Sequence, residues 1–71
     1  MNASDWLAAY AHKLGTDAPT TDEFKLILDL AAEAAHASER VAAPAAAWLA
    51  ANAGVELEQA LELAREVTAD G

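Results

Sequence analysis

Glu33 and His36 are the residues best suited to metal chemistry, because they form a Glu-x-x-His pattern within a predicted helix. In di-iron helical bundles, this spacing directs a carboxylate and an imidazole towards one pair of metal ions. A complete site needs a second such pattern and two further glutamates. The other histidine, His12, has Ala9 three residues before it, so the second pattern is missing. We therefore predict no metal site and no cofactor, with Glu33, His36 and Arg40 as surface residues at the end of the second predicted helix.

Nucleophilic catalysis finds no support in the residues either. The only serines are Ser4, which suits the start of a helix, and Ser38, which lies two residues from His36. Side chains two apart on a helix diverge, so Ser38 and His36 do not form a catalytic pair. The chain has no cysteine and no glycine-rich phosphate loop. The sequence predicts no catalytic residues, and we expect a protein that is not an enzyme.

Charge and hydropathy narrow the classes of partner. The 71 residues include twelve acidic and four basic side chains, for a net charge of -8. Four scattered cations are too few to displace the counterions of nucleic acid. The same shortage of cations disfavours binding to anionic membranes. No stretch approaches about twenty apolar residues, and the N-terminus has no basic signal-peptide region. We expect one cytoplasmic domain over residues 1–71, whose charge suits a basic partner surface.

The composition predicts helices throughout. Alanine dominates the sequence, and only two prolines and three glycines interrupt it. Alanine has the highest helix propensity, and no alternation of β-branched residues indicates a strand. Short connections favour antiparallel neighbours. The predicted fold is all-α, a compact antiparallel arrangement of four short helices, the third the shortest, at about 5–14, 21–39, 44–52 and 55–68.

Several residues mark the predicted ends of these helices. Ser4 is the expected N-cap of the first helix, and Thr20 with Glu23 forms the pattern of a capping box. Gly15 and Gly54 follow predicted helices and are expected to terminate them.

Apolar spacing predicts the faces that form the core. The stripe of the second helix contains Phe24, Ile27, Leu28, Ala31, Ala34 and Ala35, and that of the fourth contains Leu57, Ala60, Leu61, Ala64 and Val67. Trp6, Tyr10, Phe24 and Trp48 supply most of the bulk, and we expect the two tryptophans close together in the core or at its rim. On the outer face, Glu62 is spaced to pair with Arg65.

Trp48 has two interpretations. It lies on a short helix of alanines, which offers an indole little to pack against, and exposed tryptophans are enriched at binding hot spots. The chain has few other large side chains from which to build a core, however. The sequence therefore favours a core position for Trp48, with a place at a dimer or partner interface as the alternative.

Three segments together resemble a small actinobacterial domain family of unknown function. They are "DWLAAYAHKLG", "LILDLAAEAAHASERVAAPAAAWLAANAG" and "LEQALELAREV", which extend from Asp5 to about Val67. The most specific part is similar to the family pattern Ala-His-x-x-Glu-Arg-Pro-x-Ala-Pro. Here it comprises His36, Glu39, Arg40, Ala43 and Pro44. The chain departs from the pattern at position 41, where a valine replaces the usual proline, and after position 44, where alanines replace threonines and a phenylalanine.

Members of that family often lie at the end of, or beside, proteins resembling molybdenum-cofactor guanylyltransferases, which attach GMP to molybdopterin. The resemblance implies a non-catalytic helical accessory module that binds or regulates such a nucleotidyltransferase. It supplies no catalytic residues. The alternative function is a self-associating small structural protein, for example a homodimer.

The shared motif also has two structural interpretations. Pro44 preorganises a turn, while Glu39 and Arg40 are adjacent and point in different directions. We expect one of them to reach the first or fourth helix, or to cap the free N–H groups of the third, for which Glu39 is well placed. The motif would then be a structural corner. In the rival hypothesis, His36, Glu39 and Arg40 form a polar patch that faces a partner. Trp48 is the further candidate for a residue that faces this partner.

Overall fold

The structure consists of four α-helices and contains no strand. The computed structural model describes residues 1–71, and its helices are α1 (Ala3–Leu14), α2 (Thr21–Ala37), α3 (Ala42–Ala53) and α4 (Leu57–Asp70). The predicted all-α class and the compact arrangement of four helices are confirmed. The third helix is not the shortest, because it begins two residues before Pro44 and has twelve residues, as α1 does. None of the four helices has the length and apolar character needed to cross a membrane.

Local signals set three helix ends at or within one residue of their predicted positions, namely the start of α2 and the C-terminal ends of α1 and α3, while the other five ends differ from the prediction by two residues. Thr20 Oγ1 accepts a 3.1 Å hydrogen bond from the Glu23 N–H, and Glu23 Oε1 accepts a 2.8 Å bond from the Thr20 N–H. This reciprocal pair is the predicted capping box of α2. Gly15 and Gly54 terminate α1 and α3 with φ angles of 79° and 73°, in the left-handed region that favours glycine.

The start of α1 differs from the prediction. The N-cap is Asn2, whose Oδ1 accepts a 2.8 Å hydrogen bond from the Asp5 N–H. Ser4 lies inside the helix instead. Asparagine caps at least as well as serine, so the helix gains residues by starting from the earlier of the two.

The core lies where α3 and α4 pack against α2. Its centre is Leu30, which is 3% exposed, together with Ala60 and Leu61 of α4. Partly buried side chains surround this centre, namely Leu26, Ala46, Ala50, Val55 and Ala64. Three of these five surrounding side chains are alanines, so the contact between the helices buries little apolar area.

The predicted aromatic core is wrong. Trp6 is 54% exposed, Tyr10 49% and Trp48 65%, and only Phe24 is partly buried. The buried seam of α2 contains Leu26 and Leu30, which are four residues apart. Positions two residues away on a helix point to the other side, and this is why the adjacent leucine at position 28, predicted to be in the core, is exposed.

Helix α1 packs only weakly on the rest of the chain. Extensive contacts join α2 to α3 and α2 to α4, whereas α1 contributes Ala11 as its one buried residue. Because α1 packs weakly, the domain is somewhat more extended than an average one of its length: its radius of gyration is 12.8 Å, against about 11 Å expected. Its accessible surface is 5514 Å², against about 4200 Å² for a folded monomer of this mass.

Candidate functional site

Helix α3 carries no charged side chain over its whole length. A helix that is apolar on every side is normally buried. Here α3 covers the core with one side only, and its opposite side is open to solvent. We call this open side the outer face of α3; it comprises Pro44, Ala45, Trp48, Ala51 and Asn52, all of which are exposed.

Trp48 lies at the centre of this outer face. The inward side of α3 is set by Ala46 and Ala50, which pack against the core. With 3.6 residues per turn, position 48 falls opposite both of them. The predicted core position of Trp48 is therefore excluded, since burying its indole would turn the alanines outward. Its interpretation as an interface residue agrees with the observed exposure.

The corner between α2 and α3 is closed by the backbone. The carbonyl oxygens of Glu39 and Arg40 accept hydrogen bonds of 3.0 and 3.1 Å from the N–H groups of Ala42 and Ala43. Helix α3 has no side-chain cap, so the capping role expected of the Glu39 carboxylate is absent. Pro44 is the third residue of α3, where the missing N–H needs no partner.

The polar side chains of the motif are free. His36, Glu39 and Arg40 are exposed and make no side-chain hydrogen bond or ion pair within the chain. No side-chain hydrogen bond or ion pair therefore joins Glu39 or Arg40 to α1 or α4. Glu39 and Arg40 lie in the connection before α3 and His36 in the last turn of α2, and all three side chains are open to solvent.

Glu33 has a partner that the sequence did not indicate. Its Oε2 accepts a 2.6 Å hydrogen bond from Thr68 Oγ1, and its Oε1 lies 3.9 Å from Arg65 Nε. The Glu33 side chain is 24% exposed, so it does not simply decorate the helix. Arg65 pairs here and not with Glu62 as predicted. We call this group of Glu33, Arg65 and Thr68 the Glu33 clasp.

Beside the clasp is an apolar groove of about 540 Å³, bounded by α2, α3 and α4. We call it the alanine groove. Its apolar lining consists of Ala34, Ala37, Ala46, Leu49, Ala64 and Val67, with Glu33 and Thr68 at one edge. Val67 lies on the predicted apolar face of α4, but its side chain is exposed because it lines this open groove.

The outer face of α3 and the alanine groove can both make apolar contacts, and Glu33 and Thr68 add polar groups to the groove. No three histidine or carboxylate side chains of residues 1–71 converge on one point. Glu33 is directed to Thr68, and His36 stays in solvent one turn further on. The arrangement suits the recognition of another macromolecule through a helix face.

The fold and this surface define a small all-α domain with an exposed, uncharged helix. The chain belongs to the DUF6457 family, a domain of unknown function, whose model matches residues 1–70. The resemblance to a family of small domains of unknown function is confirmed at that level. Comparison with curated proteins and with solved structures finds no match.

Proposed function

We propose that this protein is a non-catalytic interaction module that binds another protein through the outer face of α3. The observation that supports the proposal is Trp48, 65% exposed at the centre of a helix without charge. Exposed contiguous apolar surface marks interaction sites on soluble domains. Tryptophan is also among the residues that contribute most to binding energy at interfaces.

The border of this face suits a partner that is itself polar and charged. The free side chains of Glu39 and Arg40 lie in the connection that precedes α3, and that of His36 lies in the last turn of α2. Interfaces commonly combine an apolar centre with a polar rim. The net charge of -8 would speed the approach of a partner whose surface is basic.

The proposed partner is a nucleotidyltransferase of molybdenum-cofactor synthesis, in the cytoplasm. Support comes from the sequence resemblance carried by His36, Glu39, Arg40 and Pro44. The module would bind or regulate this enzyme and take no part in the chemistry.

Titration of the purified chain into a purified molybdenum-cofactor guanylyltransferase tests this proposal by calorimetry. We expect saturable binding that Trp48→Ala weakens by about tenfold or more, the loss typical of a hot-spot tryptophan. The matched control is Leu28→Ala, which truncates another exposed apolar side chain away from α3 and should leave the affinity unchanged. Circular dichroism of both variants checks that each is folded.

Two results would overturn the proposal. One is the absence of binding at concentrations where the chain is folded. The other is binding that Trp48→Ala and Leu28→Ala weaken equally, since the outer face of α3 would then have no special part in it.

A further inference from the structure

Helix α1 presents a row of large apolar side chains that its own chain leaves uncovered. Trp6, Tyr10 and Leu14 are spaced four residues apart and all are exposed. The rings of Trp6 and Tyr10 lie 5.1 Å apart between centroids and are tilted by 34°. Leu7 and Ala11 are turned inward, since they are the partly buried and the buried residue of this helix. We call the row of Trp6, Tyr10 and Leu14 the aromatic ridge.

The alanine groove has the complementary shape. Four of its six apolar lining residues are alanines, and the two larger ones, Leu49 and Val67, are exposed. A volume of about 540 Å³ lies within the range of about 300–1,000 Å³ typical of pockets that bind ligands. The groove therefore offers small residues where the ridge offers large ones.

The charges match as well. The polar edge of the groove carries the Glu33 carboxylate, whose Oε1 has only a distant partner at 3.9 Å. A carboxylate accepts about four hydrogen bonds, so Glu33 has capacity left beside Thr68 and Arg65. On α1, Lys13 lies next to Leu14 and within about 20° of Trp6 around the helix axis. A ridge seated in the groove would carry this ammonium to the acidic edge.

The ridge and the groove of one chain do not meet. No residue of α1 lines the groove, and α1 makes no extensive contact with any other helix. We infer that two copies of this chain form a dimer in which the aromatic ridge of each docks in the alanine groove of the other, with Lys13 beside Glu33. Such an exchange repeats the same contact twice about a two-fold axis and closes the assembly.

The surface area of the chain agrees with this dimer. The chain exposes 5514 Å², which is about 1300 Å² more than a folded monomer of its mass. A standard interface covers about 800 Å² on each partner. The dimer accounts for much of the excess, and it does not use Trp48, which is absent from the lining of the groove, so this inference stands apart from the proposed function.

Sedimentation velocity of the full chain over a range of concentrations tests the dimer. We expect the mass of two chains, with Tyr10→Glu weakening association by about tenfold or more because a charge is buried in the apolar groove. Leu28→Glu is the matched control, since it adds the same charge to an exposed apolar position outside both surfaces. It should leave the dimer intact, as should Trp48→Ala.

A charge exchange makes the test specific for the two surfaces. Lys13→Glu and Glu33→Lys should each weaken the dimer, because each variant alone places like charges at both contacts. An equimolar mixture of the two variants pairs opposite charges at both contacts, so we expect the mixture to regain the dimer. Loss of the Glu33 clasp by itself would not be repaired by mixing.

Four results would overturn the inference, and the first three are a monomer at every concentration, equal effects of Tyr10→Glu and Leu28→Glu, and no recovery in the mixture. A dimer that Trp48→Ala dissolves would also overturn it, because self-association would then use α3. Since binding of the guanylyltransferase is measured separately, the dimer and the proposed function fail independently.

Discussion

Thr68 Oγ1 donates a 2.6 Å hydrogen bond to Glu33 Oε2, and this bond joins α4 to α2 across 35 residues of sequence. The hydroxyl also lies 3.3 Å from the carbonyl oxygen of Ala64. Hydrogen bonds to a charged acceptor are shorter and stronger than those between neutral groups. The pair holds the C-terminal half of α4 beside α2 and forms one edge of the alanine groove.

Thr68→Val removes this hydroxyl while keeping the shape of the side chain. We expect the free energy of unfolding, measured by urea titration, to fall by about 0.5–1.5 kcal/mol, the net contribution of such a bond. Thr16→Val is the control, because Thr16 makes no side-chain hydrogen bond. Equal stability of the two variants would mean that the clasp contributes nothing to folding.

Thr20→Ala removes one half of the capping box of α2. The Glu23 N–H would lose its 3.1 Å partner, so we expect a loss of about 1 kcal/mol in the free energy of unfolding. The neighbouring Thr21 offers the same side chain within the helix and without a cap bond. Thr21→Ala should therefore leave stability nearly unchanged or raise it, and a loss equal to that of Thr20→Ala would contradict the capping role.

Leu30→Ala should destabilise the chain more than any other truncation considered. Leu30 is the most buried residue at 3% exposure, and removing a buried leucine costs about 2–5 kcal/mol through lost transfer energy and a cavity. Leu28→Ala, on the exposed side of the same helix, should change stability by no more than about 0.5 kcal/mol. Urea midpoints of the two variants measure the difference, and similar midpoints would refute the position of the core.

Arg40→Ala separates the two interpretations of the motif. The backbone carbonyl of Arg40 closes the corner, and its side chain has no partner in the chain. We therefore expect an unchanged melting temperature and weaker binding to the guanylyltransferase. A melting temperature lower by several degrees would instead support the structural corner.

The features that could be predicted from the sequence are those whose partners are close together in the chain. The capping box of Thr20 and Glu23 spans one helical turn, and Gly15 and Gly54 are required by the backbone angles at their own positions. In each case the interacting groups are a few residues apart, so the pattern of residue types was sufficient.

The orientation of the helices could not be predicted in the same way. Helix α2 has large apolar residues at 26, 27, 28 and 30, on more than one side. Periodicity alone cannot choose between them, because the choice depends on where α3 and α4 pack. The same reason explains why the predicted core position of Trp48 is wrong: the alanines on the opposite side of α3 make the contact with the core. Thr68 and Glu33 are too distant in sequence for any local pattern to join them.

The weak packing of α1 on the other helices has a consequence for hydrogen exchange. This helix has its own N-cap at Asn2 and its own glycine stop at Gly15, but little of the core supports it. A twelve-residue helix by itself is only marginally stable in water. Its amide protons should therefore exchange with solvent long before those of α2 do, through a local opening that leaves the core intact.

If α1 docks on a second copy, that opening must wait for the dimer to dissociate. The exchange rate of a single helix would then report the concentration of the whole protein.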